Sequence, residues 1–214
     1  MYHLIKKDLL VQKKSFILSI LLILFFSLYL FKMGPAGLSL SVFAVTYMLT
    51  LGASAIEEKN NSDKMLISLP IRKSSIVLSK YLSVFVFAAY VILLNLIIHV
   101  LVDLIKLPLN PISFTTGGIL GSVIAPVLFC SISLPLIFKL GYLKSKMINL
   151  ILFFTIVFGG TTLIDKIYKE KPELGNFLLN SSSTELTLVV LLLSFLIFTF
   201  SYFLSLHFYK KREF

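Results

Sequence analysis

Six long stretches without one Asp, Glu, Lys or Arg run through this 214-residue chain, at about 15–31, 38–56, 81–102, 118–138, 147–164 and 186–208. Each has a length at which an apolar helix crosses a bilayer, about 17–25 residues. Hydrocarbon offers no partner to a backbone N–H or C=O, so a spanning segment must satisfy those groups internally, as a helix does. With 57% hydrophobic residues, 20 Phe and a mean hydropathy of +0.96, the chain is not an ordinary soluble domain. The predicted fold is therefore all-α and membrane-integral, with six transmembrane helices.

The charges between these stretches orient them. With Met1 placed in the cytoplasm, the segments inside carry 15 Lys and Arg and those outside carry five. Cytoplasmic excess of Lys and Arg sets the orientation of membrane proteins, so both termini are expected inside. The acids divide evenly, five to each side, so the net charge of +10 lies wholly on the inner face, where anionic headgroups or an acidic partner can meet it. The basic residues are split among four short segments, which argues against nucleic acid as a partner.

Residues 1–14 read as a short helix in the inner interface, with Lys6, Lys7, Lys13 and Lys14 on one arc and Tyr2, Ile5 and Leu9 on another. Leu10 among the lysines and Asp8 among the apolar residues break the pattern, which a plain positive flank also explains. Gly34, Pro35 and Gly37 supply a tight external turn. The small residues Gly52 to Ala55, and the Gly117 and Gly121 pair, permit close helix approach. Pro126 and Pro135 bend the fourth span and free backbone carbonyls. Phe177, Leu178 and Leu179 give the largest external loop an apolar centre.

Residues 57–80 form the one sizeable inner loop, EEKNNSDKMLISLPIRKSSIVLSK. Asn61 or Ser62 can cap a short helix, Asp63 is favourable at its positive N-terminal end, and Pro70 stops it at Leu69. Ser74 can cap the helix that follows.

Little else in the chain carries chemistry. The spans hold none of Asp, Glu, Lys or Arg, the charges that mark ion-coupled or catalytic membrane proteins. Asn95 and His99, four apart on the third span, form either a polar stripe along a path or an interhelical contact. His3, His99 and His207 lie on different elements and Cys130 is the sole cysteine, so neither metal spacing nor a disulfide is offered. Glu57 and Glu58 have the look of the paired glutamates of intramembrane prenyl endopeptidases. The arginine expected four residues on is Ser62, and the histidine motifs are missing. No catalytic residue is assigned. No G-x-x-x-x-G-K-[ST] loop is present, so ATP-driven work needs another polypeptide.

The run Glu57-Glu58-Lys59, Met65 to Lys73, Ile76-Val77 and Ser79-Lys80-Tyr81, with a second run from Leu134 to Tyr142 and Lys144, resembles the inner loops of small six-span ABC type-2 exporter permeases. The subgroup it is similar to is the permeases of the staphylococcal phenol-soluble-modulin exporter. This resemblance implies one permease domain over residues 1–214, in a bacterial plasma membrane, with an N-terminal interfacial helix and a short cytoplasmic coupling helix. The coupling element would be Asp63 to Ile71, docking on an ABC ATP-binding subunit through Met65, Leu66 and Leu69. Pro70 would end it, Arg72 and Lys73 would meet the ATPase rim, and Glu57 and Glu58 would lie at the inner mouth. ATP and magnesium would belong to that subunit, and a second permease, identical or paralogous, would complete the path.

A lining rich in Phe, Leu and Ile suits amphipathic peptides such as toxins or antimicrobial peptides first, and a lipid or hydrophobic drug second. A non-transporting immunity or sensory protein is the alternative of another class.

Overall fold

The second, third, fourth and sixth apolar stretches become helices that extend beyond their uncharged cores. The computed structural model describes residues 2–30, 34–105, 114–155 and 183–212, and helices are the only regular structure among them. They are α1 (Tyr2–Val11), α2 (Lys13–Tyr29), α3 (Pro35–Lys59), α4 (Ser62–Ser68), α5 (Lys73–Ile105), α6 (Thr116–Leu140), α7 (residues 142–155) and α8 (Ser183–Lys211). Among the described residues, four helical stretches are long and apolar enough to cross a membrane: Ala36–Lys59, Lys73–Val102, Thr116–Leu140 and Leu188–Lys211. A fifth candidate is a bent pair, Tyr2–Val11 with Lys13–Ser27, turned by 68° at Gln12. Of the expected fifth span, residues 156–164 lie outside the described residues, as do residues 31–33 of the first external turn and the Phe177-Leu178-Leu179 segment.

Turn chemistry explains the boundaries. Pro35 begins α3 behind Gly34, whose φ of 56° is a left-handed conformation that glycine adopts without strain. Thr115 caps α6, its hydroxyl accepting from the Gly118 N–H at 3.1 Å. Leu69 is extended at ψ 150°, so α4 stops before Pro70 as expected. Two details differ. Asn61 occupies the cap position of α4 in a left-handed conformation, and its side chain accepts no capping bond. Ser74 lies inside α5, which begins at Lys73, with the Arg72 carbonyl accepting from Ser75 and Ile76.

Helix α6 is central, packing on α3 on one side and α8 on the other. Pro135 cannot donate to the Ser131 carbonyl one turn earlier. Ser201 of α8 donates to that carbonyl instead, at 2.5 Å, and Tyr81 of α5 bonds Ser201 at 2.6 Å and Ser205 at 2.7 Å. The proline therefore costs α6 a bond that α8 supplies, which ties three helices at one depth. Two buried clusters result. One joins Leu66, Tyr81, Leu134, Phe138 and Tyr209; the other joins Ile23, Leu38, Leu49, Phe87 and Val91.

All four segments expected on the inner side meet at one end of this bundle. Lys7 bonds Glu57, Glu58 bonds the backbone at residue 142, and Lys73 donates to the Lys210 carbonyl at 3.5 Å. At the other end, Ser39 donates to the Gly118 carbonyl at 3.2 Å.

Candidate functional site

The inner end of α3 is where the charges converge. Glu57 is buried between α1 and α5, where it accepts from Lys7 and, at 2.6 Å, from Lys80. Asp8 of α1, only 1% exposed, stands 3.4 Å from both Lys7 and Lys80. Two cations and two anions thus form a neutral quartet across three helices. Burial raises the pKa of the Asp8 carboxyl, against the pull of Lys80.

This corrects the expected faces of α1. The side it buries carries Leu4, Asp8 and, just beyond its end, Gln12, while Tyr2 and Leu10 are exposed. Asp8, which spoils an apolar stripe, is the docking residue, because a paired charge can be buried where a lone one cannot. Gln12 donates its side-chain amide to the Leu49 carbonyl at the bend between α1 and α2.

Glu58, one residue on, faces the other way. Its carboxylate accepts from the N–H of Tyr142 and, at 3.1 Å, from that of Leu143, so it satisfies the first turn of α7 from a different helix. Gly141 makes this approach feasible. Its φ is +82°, and a Cβ built there would stand 2.9 Å from Glu58 Oε1 and 3.0 Å from Arg212 Nη2. Burial also raises the Tyr142 phenol above its ordinary value.

Helix α4 follows directly. Met65 is 71% exposed and Leu69 44%, both pointing away from the bundle. Leu66, expected beside them on a docking side, turns the other way and is buried in the cluster that also holds Ile76, Tyr81 and Tyr209. Its one-residue offset from Met65 rotates it about 100° around the helix. A cavity of about 30 Å³, water-sized, remains behind it among Ser54, Glu57, Glu58 and Lys80. Arg72 is exposed, Lys73 half-buried, and Asp63 lies in the first turn of α4.

The model of the ABC-2 family transporter proteins matches residues 3–210 of this chain. The chain belongs to the ABC-2 transporter family. This permease is accordingly the membrane component of an ABC transporter and works with an ATP-binding subunit, while the family's membrane component is not itself the catalyst. No curated protein and no solved structure matches it.

Asn95 and His99 of the permease lie four residues apart on α5. Asn95 is buried and donates to the Val91 carbonyl of its own helix at 2.9 Å. His99 packs edge-on against Phe114 at 5.4 Å. A more conspicuous seam joins α3, α6 and α7, where Phe43, Tyr47, Phe129 and Phe153 are in mutual ring contact at 4.6–6.1 Å. Beside it lies an open apolar groove of about 310 Å³ that includes Ala125, Leu128 and Ile132.

Lys7, Asp8, Lys80 and Arg212 were not legible as site residues in the sequence. The one signal was Asp8 itself, a charge at the centre of an otherwise apolar face.

Proposed function

We propose that this permease exports amphipathic peptides from a bacterial cell, as one of two six-span subunits with cytoplasmic termini, each seated on an ATP-binding subunit that holds ATP and magnesium. The observation that carries the reading is the two-sided form of α4. Met65 and Leu69 are exposed at 71% and 44%, while Leu66 is buried in the core.

A partner that moves α4 therefore moves more than a loop. Leu66 is buried in the same cluster as Tyr81 of α5 and Tyr209 of α8. The end of α3 is held to α1 and α5 by Glu57, and to the start of α7 by Glu58. Closure of two ATPases upon ATP binding would press on Met65 and Leu69, and that displacement would reach four helices through three side chains. Cargo must bind one arrangement better than the other for this to do work. The aromatic seam and apolar groove suit the apolar face of a peptide better than an ion or sugar.

Burying the exposed parts of Met65 and Leu69 contributes about 2 kcal/mol, or about thirtyfold in affinity for the ATPase. The test is co-purification of Met65→Asp/Leu69→Asp with the ATPase, followed by ATPase stimulation across a panel of peptides and lipids. Loss of the complex with an unchanged melting temperature is expected. Full retention of the complex refutes docking through α4. Stimulation by lipids but not by peptides refutes the cargo.

A further inference from the structure

On the other side of the aromatic seam, α3 and α7 leave an open groove of about 340 Å³. Tyr47 and Leu51 of α3 and Leu150 and Phe154 of α7 form its walls, and Tyr142 and Lys146 stand at one end. From Lys146 to Phe154 the groove runs along about 12 Å of helix. Its Lys146 end is the end of the bundle where the quartet, Glu58 and Arg212 gather.

Lys146 differs from the two cations of the quartet. Lys7 and Lys80 are each paired with carboxylates, whereas Lys146 is exposed and no described carboxylate pairs with it. Nor does its position favour its own helix, since a cation in the first turns opposes the helix dipole. Lys144, also exposed, adds a second positive charge nearby. An apolar slot with an exposed cation at its interfacial end is complementary to a fatty chain that carries an anionic headgroup.

We propose that this groove is a selective site for an anionic phospholipid of the cytoplasmic leaflet. Its acyl chain lies along Tyr47, Leu51 and Leu150, and its phosphate meets Lys146. The charge at the mouth distinguishes such a lipid from a zwitterionic one, and its apolar floor distinguishes it from free phosphate. The site does not depend on what the permease transports.

The chain contains no tryptophan, so one introduced indole reports its own surroundings. The full-length Leu150→Trp protein is reconstituted in bilayers with brominated phosphatidylglycerol or brominated phosphatidylcholine, and quenching is measured against lipid ratio. Leu192→Trp, at a 63%-exposed position of α8, is the control for bulk lipid. One lysine beside an anionic headgroup gives about fivefold preference. Phosphatidylglycerol should therefore quench the Leu150→Trp protein about fivefold more effectively than phosphatidylcholine, with a ratio of about one at Leu192→Trp. Lys146→Gln in the Leu150→Trp background should bring the ratio down to about one. Equal quenching by both lipids at Leu150→Trp overturns the proposal, as does a preference that survives Lys146→Gln. Absence of quenching by either lipid also overturns it, since the groove is then covered by protein, such as a second copy. Failed peptide transport in the same vesicles leaves these ratios unchanged.

Discussion

Glu57→Gln removes one of four charges from a cluster that is otherwise neutral, and changes little else in size or shape. Lys80, whose side chain is 8% exposed, then loses the negative charge at 2.6 Å and keeps only the carboxylate of Asp8 at 3.4 Å. Lys7 loses its closest contact as well. The remaining two lysines and one aspartate carry a net positive charge, with Lys80 and Asp8 largely buried. Breaking a buried ion pair from one side costs about 3–5 kcal/mol, because the surviving charge is left without compensation. Helix α1 should loosen from α3 and α5, since the quartet is its polar attachment to both.

Cys130 supplies the assay. It is the sole cysteine and is 1% exposed, so a thiol-reactive fluorophore labels it only as the bundle opens. A loss of 1 kcal/mol lowers the melting temperature of a chain of this size by about 2–4 °C, so Glu57→Gln should fall by about 6–20 °C. Adding Lys80→Met removes the stranded cation, leaves Lys7 with Asp8, and should recover more than half of the loss. A Glu57→Gln protein melting within about 2 °C of the parent refutes the claim that the quartet holds α1. So does a double variant as unstable as the sum of its two single variants, because coupled groups must be non-additive.

Glu58→Ala leaves the first N–H groups of α7 without their acceptor and should cost about 1–2 kcal/mol, read in the same thiol melt as a fall of about 2–8 °C. Leu66→Ala empties a core position under α4 and should cost about 2–5 kcal/mol in that melt, whereas Met65→Ala should shift it by less than about 2 °C. Gly37→Ala should lower stability at the α2–α3 turn, since a Cβ there runs into the Leu30 carbonyl oxygen. An unchanged melt for Gly37→Ala contradicts that packing.

How much was legible in the sequence follows from which forces are local. The apolar stretches show their helices because the period and length of a helix are properties of neighbouring residues. Pro70 showed the end of α4, and Pro35 with Gly34 showed the start of α3, because backbone sterics act over one or two residues. The helix limits were less visible. Helix α3 runs on to Lys59 and α5 starts at Lys73, so the inner loop is mostly helical. Charged residues continue a helix readily when each finds a partner, and those partners lie 50 and 72 residues away. Leu66 illustrates the same limit, since Met65, Leu66 and Leu69 are equally apolar in sequence. Only the position of Tyr81 and Tyr209 decides which of them turns inward.

The sequence by itself determined that this is a helical membrane protein, which segments share an end, and where a short helix interrupts the inner loop. Hydrophobic length, charge bias and proline act without knowledge of the rest of the chain. The tertiary structure decided what the inner charges are for. Glu57, Asp8, Lys7 and Lys80 close into a quartet, Glu58 crosses to start α7, and Lys146 is left open at a groove. Coulomb attraction and desolvation depend on distance and burial in space, and those quantities exist only once the helices have packed.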